Sequence, residues 1–316
     1  MVAIVALVGR VGAAKQPMNT TASQWESQLE IPGRVTFQDG QGELPTVELR
    51  TPWSEAEIYL HGAHVTHFQK QAEPPLLFLS KMSRFEAGAP IRGGVPVIFP
   101  WFGPRAGQPA HGFARLQDWE LKEITLAVDG TTGLRFRLPD GPEGGGYPPF
   151  TADYTVTVGE QLVLQLSISS RAPDRELTFE ACLHTYFAVG DITAVEITGL
   201  RGADYLDTLE QFARKVDADD AIRIAAEVDR VYADTPATVE IVDQVFRRRI
   251  RVAKEGSRST VVWNPWVAKA QRLADFGNDE YLQMVCVESG NIGPDQITLA
   301  PGQTSTLQVT LSSAPL

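Results

Sequence analysis

Residues 162–168 read LVLQLSI, with Leu162, Leu164, Leu166 and Ile168 on one parity and Val163, Gln165 and Ser167 on the other. Successive side chains of a strand point to opposite faces, so a strict two-residue alternation marks a β-strand with one buried face. The stretch 177–192, LTFEACLHTYFAVGDI, extends the pattern. Leu177, Phe179, Ala181 and Leu183 share one parity, and Thr178, Glu180, Cys182, His184 and Tyr186 share the other. A solvated face usually carries Lys, Thr, Ser and Glu. A carboxylate, a thiol, an imidazole and a phenol in succession raise the question of a site.

Outward from this centre, turn signals punctuate the chain: PG at 32, DG at 39 and 129, GP at 103, PDGPEGGG from 139 and PG at 301. Between them lie short alternating runs at 57–68 (EIYLHGAHVTHF), 239–242, 285–288 and 305–311. Helix signals are scarce. The best candidate is 204–216, with apolar residues at 206, 209, 212 and 216. Many short strands separated by Gly/Pro turns predict an all-β protein, a large sandwich. One domain over 25–316 is the simplest division, preceded by a flexible leader over 1–24. The leader holds a short apolar run, Met1–Gly9, followed by a lone Arg10. A secretory signal places positive charge before a longer apolar stretch, and a membrane span needs about 18 apolar residues. A dispensable leader, with a natural start at Met18, is therefore expected over a weak export signal.

The 316 residues are 43% hydrophobic and 21% charged, enough to bury a sizeable core. The net charge of -11 repels nucleic acid and anionic lipid, so neither is an expected partner. It leaves room for a phosphorylated small molecule, because local arginines override the global field inside a cleft. Two cysteines, Cys182 and Cys286, form no disulfide framework and no zinc-type CxxC spacing. They fit a reducing, cytoplasmic setting.

Several segments carry candidate chemistry. In IRGGVPVIFPWFGP (91–104), Gly93 and Gly94 permit positive φ or close backbone approach, and the prolines argue against a central strand. HGFAR (111–115) follows. Arg92 and Arg115 offer planar forks of donors suited to an anion, although solvated arginines beside turns are commoner. His184 lies two residues after Cys182, and Glu288 two after Cys286. Each titratable residue thus shares a strand face with a cysteine. If the two strands are neighbours, one sheet face holds an acid–base pair. By pattern alone a structural His–Glu pair is the commoner outcome. The spacing of His61, His64 and His67 does not converge on a metal if the run is one strand, since His64 points away from the other two. In VVWNPWVAKA (261–270) the tryptophans suit a sugar face, but Trp at such a turn is more often packing.

The ordered set IRGGVPVIFPWFGP, HGFAR, HTYF, VDRVY (228–232), VVWNPW and CVESGNI resembles the hexose-6-phosphate mutarotases, or glucose-6-phosphate 1-epimerases, a branch of the aldose 1-epimerase superfamily. The resemblance runs from about residue 50 to 311. It implies a large twisted antiparallel β-sandwich of the galactose mutarotase-like kind. It further implies interconversion of the α and β anomers of a hexose 6-phosphate, glucose 6-phosphate foremost, without metal or organic cofactor. By position, His184 matches the general acid towards the ring oxygen and Glu288 the general base towards the anomeric hydroxyl. Arg92 and Arg115 match phosphate-holding arginines, His111 a second site histidine, and Asp229 an aspartate that binds sugar hydroxyls. Ala110 stands where relatives often carry a polar residue, and Ser289 where many carry proline. A mutarotase for unphosphorylated aldoses and a non-catalytic sugar-binding module of the same fold are the alternatives.

Overall fold

The computed structural model describes residues 4–5, 29–139 and 146–316. Its strand pairings are all antiparallel. The strand Leu162–Ser170 pairs on one side with Phe150–Val158 and on the other with Thr304–Pro315, near the centre of a ten-stranded sheet. Outward on one side run Thr132–Arg137, Glu120–Ala127 and Ile4–Val5. On the other run Arg248–Glu255, Val239–Asp243, Val195–Thr198 and Ala221–Ile222. As the alternation requires, Leu162, Leu164, Leu166 and Ile168 are buried to 1% exposure or less. Each such side chain contributes about 1.5–3 kcal/mol when removed from water.

A second sheet of eight strands carries, in order, Ala213–Val216, Asp204–Asp207, Val228–Tyr232, Ser259–Asn264, Met284–Asn291, Ala181–Leu183 and Val97–Ile98. Tyr186–Ala188 also pairs with Met284–Asn291. This sheet uses its two parities differently. Val262, Val285, Val287 and Leu183 join Leu164 and Leu166 in one apolar core, which binds the two sheets face to face. Val261, Trp263, Met284, Cys286, Cys182 and Tyr186 form a separate cluster on the other face. A four-stranded sheet (Val35–Asp39, Pro45–Arg50, Ser54–Tyr59, His64–Lys70) and a two-stranded ribbon (Leu177–Phe179 with Ile297–Leu299) complete the array.

Three local expectations change. The 204–216 run is a hairpin, Asp204–Asp207 paired with Ala213–Val216. Its helical spacing is incidental: Leu209, Phe212 and Val216 are all exposed and make no common buried face. The 57–68 run spans a second hairpin, with the chain turning between Ser54–Tyr59 and His64–Lys70 through Gly62 and Ala63 at positive φ. The 177–192 run divides into three short strands instead of one. The expected leader over 1–24 lies outside the described residues but for Ile4–Val5, which pair with Leu126 and Ala127.

Candidate active site

Strand register brings the acid and base together. Leu183 pairs with Ser289 and Tyr186 with Cys286, so His184 falls directly across from Glu288. Both side chains project from the face that is not committed to the main core. His184 Nε2 lies 3.2 Å from Glu288 Oε1, and both residues are buried. Gly290 makes the close pairing possible, because a Cβ there would stand 2.7 Å from the Ala181 carbonyl and 2.8 Å from Cys182 Cβ. The Tyr186 ring stacks on His184, centroids 4.8 Å apart and planes 8° from parallel. His111 and Trp263 meet the imidazole edge-on at 5.7 and 6.3 Å. Cys182 Sγ donates to Glu288 Oε2 at 3.7 Å, so this thiol does more than pack.

Burial sets the protonation of the pair. It pushes His184 well below its ordinary value, with His111, Arg115 and Arg92 adding repulsion. It pushes Glu288 well above the carboxylate range, helped by the charge of Asp229. Both groups therefore favour their neutral forms. A neutral carboxylic acid beside a neutral imidazole holds the same number of protons as a carboxylate beside an imidazolium. One proton moving along the hydrogen bond interconverts them.

His111 sits at a φ of 64°, and its Nδ1 accepts the Gly103 N–H at 3.3 Å. Burial, then Arg115 and Arg92, lower it to about 3. A neutral imidazole whose Nδ1 accepts must carry its proton on Nε2, leaving a donor for a ligand oxygen.

Arg92 donates from Nε and Nη2 to Asp275 Oδ2 at 3.2 and 3.0 Å, and from Nη1 to Tyr186 Oη at 3.1 Å. It is held at the Gly93–Gly94 turn, where both glycines have positive φ and a Cβ on Gly93 would stand 2.5 Å from the Phe78 carbonyl. Arg115 donates from Nη2 to the Ala110 carbonyl at 2.8 Å, while its buried Nε has no hydrogen-bond partner among the described residues. Burial lowers this guanidinium to about 10. Asp229 Oδ2 lies 3.5 Å from Lys269 Nζ, which also reaches Glu227 at 3.3 Å and lies over the Trp263 ring. Burial raises Asp229 and Lys269 counters it.

These groups line a cavity of about 720 Å³ that takes in Arg92, His111, His184, Asp229 and Glu288. Arg115 is the one sequence-derived candidate not on its wall. Trp263, expected to be packing, is on it, as is Lys269. The sequence reading missed Lys269 and Asp275. A lysine inside the apolar run VVWNPWVAKA was the available signal for the first, and the second becomes visible only through its partner. Glu180, on the same parity as His184, accepts the N–H groups of Phe102 and Gly293 at 2.8 and 2.7 Å and ties two loops at the rim.

A second cavity of about 730 Å³ runs along the four-stranded sheet and includes His67 and Glu55, 3.7 Å apart. That pair is 33% and 55% exposed, so water already solvates it and it lacks the desolvation that distinguishes His184 and Glu288. His61 and His64 bind Asp118 and the Gly93 carbonyl. The three histidines do not converge.

The chain is similar in sequence and fold to known proteins. The family model described as Aldose 1-epimerase matches residues 45–312. A Cenchrus ciliaris protein named for an inferred glucose-6-phosphate 1-epimerase activity is 35% identical over 271 residues, 82% of each chain. An Escherichia coli K12 protein of the same name is 35% identical over 251 residues, 78% of this chain and 83% of its own. The crystal structure of an inferred mutarotase from Salmonella typhimurium superposes with a TM-score of 0.83 at 29% identity, covering 91% of this chain and 96% of that one.

Proposed function

Because this chain belongs to the aldose 1-epimerase family, we propose that it interconverts the α and β anomers of hexose 6-phosphates, glucose 6-phosphate foremost, with His184 and Glu288 as the acid–base pair. The observation that carries this reading is the buried 3.2 Å contact between those two side chains on the wall of a sugar-sized cavity. In the ion-pair form, Glu288 takes the proton of the anomeric hydroxyl while His184 gives its Nε2 proton to the ring oxygen. The C1–O5 bond breaks and C1 becomes an aldehyde. The pair is then neutral, which is the form burial favours. Rotation about C1–C2 exposes the other face of the carbonyl. On reclosure O5 attacks C1, His184 takes back the O5 proton, and Glu288 returns a proton to O1. No step changes an oxidation state.

Substrate recognition fits the remaining side chains. Neutral His111 offers its Nε2–H and Asp229 accepts from hydroxyls. Trp263 gives an aromatic wall. Of the five N–H donors of a guanidinium, three on Arg92 are engaged by Asp275 and Tyr186, which leaves one on each terminal nitrogen for a phosphate. Arg115, behind the wall, adds a desolvated positive charge that acts on His111. The two free, buried thiols suit a reducing cytoplasm. Among the described residues no helix is long and apolar enough to cross a membrane.

Exchange between glucose 6-phosphate anomers, followed by NMR saturation transfer, tests the reading. His184→Ala and Glu288→Gln should each lose about 10²- to 10⁴-fold in rate with the fold intact. Exchange at the wild-type rate in either variant rejects the assignment. A second reading, turnover of unphosphorylated aldoses, draws on Arg92 being neutralised by Asp275 already. Equal kcat/KM for glucose and glucose 6-phosphate selects it.

A further inference from the structure

Cys286 has no part in the acid–base steps, yet it lies at their floor. It shares a strand face with Glu288 and pairs across the ladder with Tyr186 on one side and Trp263 on the other. One imidazole nitrogen of His184, Sγ of Cys286 and one carboxylate oxygen of Glu288 all lie within 4.8 Å of one another, and all three residues are buried. We propose that these three side chains form an inhibitory site for a thiophilic divalent cation, zinc foremost, at the base of the sugar cavity. The inhibitory role rests on the reading of His184 and Glu288 as the catalytic pair. The site itself does not.

Donor chemistry and spacing both point this way. Zinc binds thiolate, imidazole and carboxylate at about 2.0–2.3 Å in tetrahedral arrays, which sets neighbouring donors about 3.3–3.8 Å apart. The His184–Glu288 contact of 3.2 Å is already near that spacing, and the three donors, all within 4.8 Å of one another, need to draw in by only about 1 Å, within reach of side-chain torsions. Charge also balances. A thiolate and a carboxylate neutralise a divalent cation while the imidazole stays neutral, so binding leaves no net charge in a buried site. The thiol proton and the proton shared by the pair leave for solvent as the ion enters. A mixed S/N/O set favours zinc or cobalt over magnesium or calcium, which want oxygen donors alone. His184 and Glu288 line the cavity, so the fourth coordination position opens to it. Once ligated, neither residue is free to move a proton, and anomer exchange stops until the ion is removed.

Metal binding and activity are measured separately. In the wild-type protein, Co²⁺ titration should give a thiolate-to-cobalt charge-transfer band in the near ultraviolet at one equivalent. Zn²⁺ should abolish catalysed exchange, and EDTA should restore it. Mg²⁺ should do neither. Cys286→Ala and the size-conserving Cys286→Ser should keep basal exchange, lose the cobalt band and bind Zn²⁺ at least about tenfold more weakly. Absence of a cobalt band in the wild type up to about 1 mM, or a band that survives in both variants, overturns the proposal. A cobalt band in a protein that shows no exchange would retain the metal site and reject the catalytic reading instead.

Discussion

At the scale of single residues, the site is a set of charges whose values depend on one another. The carboxyl of Glu288 is raised by burial first and by Asp229 second. Removing the charge of Asp229 should therefore let Glu288 lose its proton more readily. Asp229→Asn should move the alkaline limb of the kcat/KM profile, where the pair loses its proton, to lower pH. It should also raise KM through the lost hydroxyl acceptor. An alkaline limb that stays in place or moves up contradicts the coupling. Parity put His184 and Glu288 on the faces shared with Cys182 and Cys286 and so raised the pair, but by itself it favoured a structural contact; the acid and base roles came from the family resemblance. Asp275 and Lys269 were not legible in sequence, since their importance comes from partners 183 residues away in the first case and from Glu227 and Asp229, some forty residues earlier, in the second. Arg115 was found by its motif, but its place off the cavity wall depends on how the HGFAR turn folds.

At the scale of elements, the strand Met284–Asn291 holds the arrangement. It pairs with Ser259–Asn264 on one edge and with both Ala181–Leu183 and Tyr186–Ala188 on the other. Gly290→Ala would drive a Cβ into the Ala181 carbonyl and Cys182. The strand Ala181–Leu183, which leads into His184, must then shift away. Overpacking of this kind costs about 1–3 kcal/mol, and a small displacement of a catalytic group costs activity disproportionately. We expect a stability loss of that size in urea denaturation with a fall of at least about tenfold in kcat. Retained wild-type kcat would show that the strand yields elsewhere. The strict alternation at 162–168 was readable because one face is wholly buried. The helix reading of 204–216 failed because apolar residues at intervals of three, three and four in a short hairpin mimic helical spacing, although Leu209, Phe212 and Val216 are exposed.

For the whole molecule, stability should depend on pH through a histidine that does not line the cavity. His64 is fully enclosed, with Nε2 bonded to the Gly93 carbonyl at 2.7 Å, and burial lowers it to about 3. Unfolded, an imidazole titrates near 6.5. Between these values the unfolded chain takes up a proton that the folded chain refuses. The contribution is therefore complete above about pH 6.5 and is lost as pH falls towards 3. It amounts to about 2 kcal/mol between pH 6.5 and 5. His64→Gln should flatten the dependence of unfolding free energy on pH across that window. An unchanged slope would assign the acid sensitivity to other groups.

The eight-stranded sheet divides labour by parity: in Met284–Asn291, Val285 and Val287 join the main core, while Met284 and Cys286 join the opposite cluster and Glu288 lines the pocket. Substitutions at Val285 and Val287 should register mainly as changes in melting temperature, and those at Glu288 mainly as changes in rate. Thermal robustness and sugar preference are then separately adjustable within a single strand, by an engineer or by descent. A one-residue insertion is the exception. It would exchange the two parities beyond it, bringing valines to the substrate and a carboxylate to the oil between the sheets.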